Sequence, residues 1–304
     1  MSIRPIKSIV QAKPTIEGAG VKLRRAFGFG NTQEFDPFLL FDDFRNESPE
    51  DFLAGFPWHP HRGIETITYV LAGSVAHGDS LGNKGEMGPG DVQWMTAGSG
   101  ILHQEMPKGD PRGRMHGFQL WANLPSSLKM TDPRYQDVPA RDIPEVTDDD
   151  GTKVRVVCGD FWGKTGPVQG VAADPRYLDV WVPPGKRKVL PVETTRHAFA
   201  YVFEGSGSFR DASQPLAPNT EVVGTPAAPG GGAEAETGNR SLVLFDRGDE
   251  VVVQAGDQGI RFLLVSGKPI EEPVAWYGPI VMNTAEQLRQ AYEELQAGTF
   301  IKKR

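Results

Sequence analysis

Short segments that alternate apolar and polar residues recur along the whole chain, and each is cut off by a turn signal before it can grow into a helix. Ile64 to Leu71, Asp91 to Met95, Gly117 to Ala122, Lys153 to Cys158 and Tyr177 to Val182 read as strands. So do Phe199 to Phe203, Ser241 to Phe245, Glu250 to Gln254 and Ile260 to Val265. Ala72-Gly73, Gly88-Pro89-Gly90-Asp91, Pro183-Pro184-Gly185 and Arg247-Gly248-Asp249 punctuate them. Glycine and proline make up about a fifth of the chain, well above ordinary usage. Regular short strands of this kind build an all-β sandwich or barrel. A helix is expected only near the end, where Thr284 and Gln287 form a capping box, Leu288, Tyr292 and Leu295 share a face, and Gly298 supplies the stop. Pro125 to Met130 is too short to assign.

At 304 residues the chain suits two domains. The polar tract Ala140 to Gly151, with Asp148-Asp149-Asp150, predicts a linker over 140–151 between domains at 1–139 and 152–304. Pro226 to Asn239, with its three consecutive glycines, predicts an exposed loop that can be shortened without touching a core. No apolar run approaches the roughly 20 residues that span a bilayer, and Met1 to Gln11 has no apolar core of a secretory signal. A lone Cys158 excludes an intrachain disulfide and a multi-cysteine metal site, in keeping with the cytoplasm. A net charge of −7 gives no overall attraction to nucleic acid or anionic lipid.

Glu65 to Ser74 aligns without gaps on His197 to Ser206, and Gly90-Asp91 with Gly98 finds a counterpart in Gly248-Asp249 with Gly256. By those offsets His59, His61, His103 and Glu105 face Pro191, Glu193, Arg261 and Leu263. Whatever the first set does, the second half lacks it. His59 and His61 share one strand face, as do His103 and Glu105 behind a glycine-rich turn. Brought together on neighbouring strands, three imidazoles and one carboxylate converge on a single metal ion inside a barrel. Such a set suits non-haem Fe(II) first, with nickel, copper, manganese and zinc as alternatives. On a continuous strand Glu65 has the parity of His61, as an acceptor for an imidazole N–H or a ligand. His77, His116 and His197 stand alone and read as structural. Of strand 117–122, either Phe118 with Leu120 or Gln119 with Trp121 must line the metal chamber.

Phe56-Pro57-Trp58-His59-Pro60-His61-Arg62-Gly63, the run Pro89 to Gly98 and the run Gly100 to Pro107 resemble the pirin family within the cupin superfamily. Gly267 to Ile270 and Pro273 to Asn283 are similar to the end of a pirin. The resemblance implies two jelly-roll (cupin) barrels packed face to face, with one Fe(II) in the N-terminal barrel held by His59, His61, His103 and Glu105, and none in the C-terminal one. It also implies quercetin 2,3-dioxygenase activity on a flavonol substrate, with Glu105 as both ligand and base. The alternative it implies is a metal-dependent redox sensor or regulatory binder of the transcriptional co-regulator type, with a protein partner.

Overall fold

The computed structural model describes residues 2–210 and 236–302. In chain order the elements begin with β1 (Ile6–Gln11), β2 (Lys13–Glu17), β3 (Val21–Phe27), α1 (Thr32–Phe35) and β4 (Phe38–Asp43). There follow β5 (Phe56–His61), β6 (Ile64–Ala72), β7 (Ser74–Asp79), β8 (Lys84–Met87), β9 (Val92–Thr96), β10 (Ile101–Lys108), β11 (His116–Asn123) and β12 (Arg134–Val138). The second half holds β13 (Glu145–Thr147), β14 (Lys153–Cys158), β15 (Asp160–Phe161), β16 (Lys164–Thr165), β17 (Arg176–Val182), β18 (Arg187–Pro191) and β19 (His197–Phe209). It ends with β20 (Glu236–Gly238), β21 (Ser241–Phe245), β22 (Glu250–Gly267), β23 (Ala275–Tyr277), β24 (Ile280–Met282) and α2 (Ala285–Gln296).

The first barrel closes a sheet ordered β12-β9-β6-β11-β4-β3-β2 over a second ordered β5-β10-β7-β8. In the second barrel one continuous ladder, β1-β21-β19-β22-β17-β14-β13 with β18 and β20 attached, makes both layers. The long β19 and β22 allow this, because bulges at Val202/Glu204 and Gly205/Gly207 bend the pair. The apolar segments expected at 250–254 and 260–265 are therefore one strand. Residues 125–130 form turns and no helix, and the tract 140–151 carries the edge strand β13. α2 starts at the expected capping box, with Gln287 N donating to Thr284 Oγ1. The loop expected over 226–239 lies mostly outside the described residues; its last part forms β20 and a turn. No helix among the described residues is long and apolar enough to cross a membrane.

The chain ends exchange places. β1 pairs with β21 of the second barrel, whereas β24 and α2 lie against the first, where Val281 N donates to Arg62 O at 3.0 Å. Between the barrels, one face of each large sheet packs Phe41, Ile67, Trp94 and Phe118 against Tyr177, Phe199, Leu263 and Val265. The second barrel's own interior is filled by Val156, Val180, Leu190, Val253, Phe262 and other apolar side chains. Cys158 lies buried in the interface, where burial pushes its thiol up to about 12.

Two hydrogen bonds cross that interface reciprocally. Tyr69 Oη donates to Asp179 Oδ2 at 2.7 Å, and Tyr201 Oη donates to Asp43 Oδ2 at 2.9 Å. Tyr69 and Tyr201 occupy matching positions of the internal repeat, so each barrel supplies one phenol and one carboxylate to the other. Both carboxylates are almost fully buried, with Arg261 holding Asp179 and Arg45 holding Asp43. Tyr69→Phe or Tyr201→Phe removes one donor from a buried charge, and each is expected to lower unfolding stability by about 1–3 kcal/mol. Urea denaturation monitored by tryptophan fluorescence measures the loss.

The strand pairing corrects one part of the repeat. β18 stands where β5 does, and Pro191, the counterpart of His59, pairs with Glu250 on β22. Since His59 pairs with His103 on β10, the topological counterpart of His103 is Glu250, not Arg261. Gly248-Asp249 leads into the strand equivalent to β10, whereas Gly90-Asp91 leads into β9. The ungapped second landmark is therefore out of register.

Candidate metal centre

β5 alternates as the spacing predicts, so His59 and His61 turn to the same side, and β10 lays His103 directly opposite His59. One nitrogen from each of His59, His61 and His103 lies within 4.8 Å of the others, a convergent group among the described residues that could hold a metal ion. His103 is 1% exposed and His61 3%. Burial pushes all three imidazoles below their ordinary value, His61 and His103 far below. Burial thus favours the neutral form of all three, the form that binds metal.

The hydrogen bonds fix which nitrogen is free. His59 Nδ1 lies 2.8 Å from Pro57 O and His61 Nδ1 lies 3.1 Å from Pro279 O. A carbonyl only accepts, so both Nδ1 atoms carry the proton and both Nε2 atoms present a lone pair. Those two Nε2 atoms stand 3.1 Å apart, an arrangement that repels unless a cation lies between them. Both nitrogens of His103 are buried without a hydrogen-bond partner, a cost that ligation of one of them would lessen. The triad therefore fits a metal ion.

Glu105 shares the cavity but lies outside the convergent triad. The pairing of β5 with β10 shifts between His103 and Glu105, because Phe56 to His59 on β5 spans one residue more than the facing stretch of β10. Thr68 Oγ1 stands 3.2 Å from Glu105 Oε1 and 2.8 Å from Gln119 Oε1, so its one hydrogen is shared. Burial raises the Glu105 carboxyl to about 7. The cavity, about 500 Å³, is open at a mouth beside the exposed Trp58 and Phe29, and apolar side chains such as Leu40, Phe44, Phe52 and Met115 make most of its wall.

Of β11, Gln119 and Trp121 line this chamber while Phe118 and Leu120 enter the barrel interface. Trp121 meets His61 edge to face at 5.0 Å and leads to Trp276, which stacks on Phe29. One polar row crosses the sheet in strict register, Arg25–Asp42–Gln119–Thr68–Gln93–Asp137. Its first four members face the cavity. Arg25 binds Asp42 through two 2.8 Å bonds.

Glu65 is elsewhere. Gly63 adopts φ +75° and separates β5 from β6 into different sheets, so parity does not carry across it. The Glu65 carboxylate instead accepts from Trp94 Nε1 at 3.1 Å and Thr96 Oγ1 at 2.8 Å. It neither ligates with the triad nor supports its imidazoles. His77, His116 and His197 lie outside the triad too. His77 packs on Tyr135, and His116 sits at the interface against Phe118 and Phe203.

The pirin family profile matches residues 20–122, and that of the pirin C-terminal cupin domain matches residues 177–301. This chain belongs to the pirin family. A pirin-like protein of Caulobacter vibrioides is 44% identical over 99% of this chain and all of its own. Human pirin is 38% identical over 95% of this chain and 91% of its own. A solved quercetin 2,3-dioxygenase from Acinetobacter baumannii superposes with a TM-score of 0.84 at 29% identity, covering 98% of this chain and 99% of that one. The two facing cupin barrels with one C-terminal helix are the expected pirin architecture. Within this pirin, the strand ladders and the glycine-rich turn before β10 announce the histidines in the sequence. Thr68, Asp42 and the Pro279 carbonyl carry no local motif and emerge only from strand register and from a contact 218 residues distant.

Proposed function

We propose that this pirin is a mononuclear non-haem iron dioxygenase of the quercetin 2,3-dioxygenase type, acting on a flavonol or a similar enol-bearing aromatic. The observation that carries the reading is the pair of Nε2 lone pairs, 3.1 Å apart, beside a partnerless His103, where His59, His61 and Glu105 line an apolar cavity. His59, His61 and His103 would hold the ion, with Glu105 as a fourth ligand when it swings from Thr68. Held there, iron would supply Lewis acidity toward the flavonol oxygen. The overall change joins one flavonol and one dioxygen, opens the heterocycle to an ester and releases carbon monoxide.

The residues of the chain set up this reaction. The apolar wall receives a flat ring system and excludes water from it. Glu105, with its carboxyl raised to about 7, accepts the proton of the 3-hydroxyl; its deprotonated form is available near neutrality. The Thr68 hydroxyl, shared with Gln119, meets that carboxylate at the cavity wall, and Asp42 and Arg25 offer a polar edge two and three strands away from Thr68. The position that carries His103 in the first barrel is Glu250 in the second, so no second centre of this kind is expected there.

Aerobic incubation of Fe(II)-loaded chain with quercetin should bleach the flavonol absorbance and release carbon monoxide. Retention of iron with no bleaching would replace this reading by the second, a metal-dependent sensor recognised by a protein partner.

A further inference from the structure

The triad belongs to the first barrel, yet one of its rings is oriented from the far end of the chain. His61 Nδ1 donates to Pro279 O, in the turn between β23 and β24, and this segment is made only after β22 has completed the second barrel. The strap is fastened beside the histidines. Gly63 lies so close to it that a Cβ would stand 1.9 Å from Val281 O. Lys129 Nζ, buried, donates to Gly63 O at 2.8 Å and to Val281 O at 3.0 Å, joining the two segments through one ammonium.

Arg62, next in sequence to His61 and 2% exposed, makes the firmest tie. Its Nε donates to Ser99 O at 2.7 Å, in the turn that leads to His103. Its Nη2 donates to Phe300 O at 2.8 Å and its Nη1 to Glu294 Oε2 at 2.7 Å, both on the strap, with the Phe300 ring 4.1 Å below. One guanidinium therefore couples the His61 strand, the His103 turn and the C-terminal helix.

We propose that residues 275–301 form a positioning element of the metal centre, with Arg62 as the positioning residue that sets its register. Through the Pro279 carbonyl the strap holds the His61 ring as its Nδ1–H form with Nε2 directed at the ion. This rests on the metal reading above. Groups that orient a ligand in this way typically control metal affinity by 10–100-fold.

Co(II), whose visible spectrum reports ligand geometry, is the probe, titrated into the metal-free full chain against a chelator. Arg62→Met should weaken Co(II) binding by about 10–100-fold and alter its visible bands. Arg62→Lys, which keeps a cation opposite Glu294, should recover part of the loss. Tyr201→Phe, destabilised at the barrel interface, should bind Co(II) as the unsubstituted chain does. Folded Arg62→Met with Co(II) affinity within twofold and identical bands overturns the strap alone. Failure of the unsubstituted chain to bind Co(II) overturns the metal reading. If Arg62→Met does not fold, nitrogen-15 spectra of the unsubstituted metal-free chain decide: a protonated His61 Nδ1 supports the proposal, and a protonated Nε2 overturns it.

Discussion

His61→Ala should leave a folded chain that no longer holds iron. Two imidazoles remain, and neither can replace the Nε2 that faces His59 at 3.1 Å. Loss of an orienting partner alone costs 10–100-fold, so loss of a ligand should weaken Fe(II) by more than about 100-fold. Quercetin bleaching then falls to the background of free iron. Elemental analysis after dialysis, with the bleaching assay beside it, measures both. Stoichiometric iron in the dialysed variant would mean that the triad is not the ligand set.

Glu105→Ala should separate chemistry from metal retention. Glu105 lies outside the convergent triad and rests on Thr68, so three histidines still hold the ion when the carboxylate is gone. Removal of a general base typically costs 10²–10⁴-fold in rate. Ring cleavage should fall by about that factor while iron content stays near that of the unsubstituted chain. Equal loss of both would reduce Glu105 to a ligand and remove the base from the reaction.

The contrast between these two variants follows from how differently the sequence announces the two residues. His59 and His61 sit on one short edge strand, where alternation alone predicts a shared face, and that face is kept because β5 pairs in regular register from His59 to His61. Glu65 obeys the same arithmetic and fails it, since Gly63 takes a left-handed conformation and hands the chain to another sheet. Parity is a property of an unbroken strand, and a glycine of that kind is where it ends. The same limit explains the repeat. Its first landmark lies within one strand and is in register, with Tyr69 and Tyr201 reciprocal across the interface. Its second spans a turn, and strand pairing shifts it so that Glu250 replaces Arg261 as the partner position.

Gln119 was one of two parity choices, and only barrel closure decides between them, because both faces of β11 are covered. Asp42 and Thr68 are unremarkable in sequence; register across neighbouring strands places them in one row with it. A backbone carbonyl such as that of Pro279 leaves no residue-type signature at all, since every residue has one.

The crossing of the chain ends sets an order of events during synthesis. The ribosome delivers His59, His61 and His103 early, but the acceptor for His61 comes from Pro279 and the anchor for Arg62 from Phe300. A nascent chain paused after its first 139 residues has every side chain of the triad and lacks the wall that orients one of them. Its pocket can be finished only once translation is nearly over.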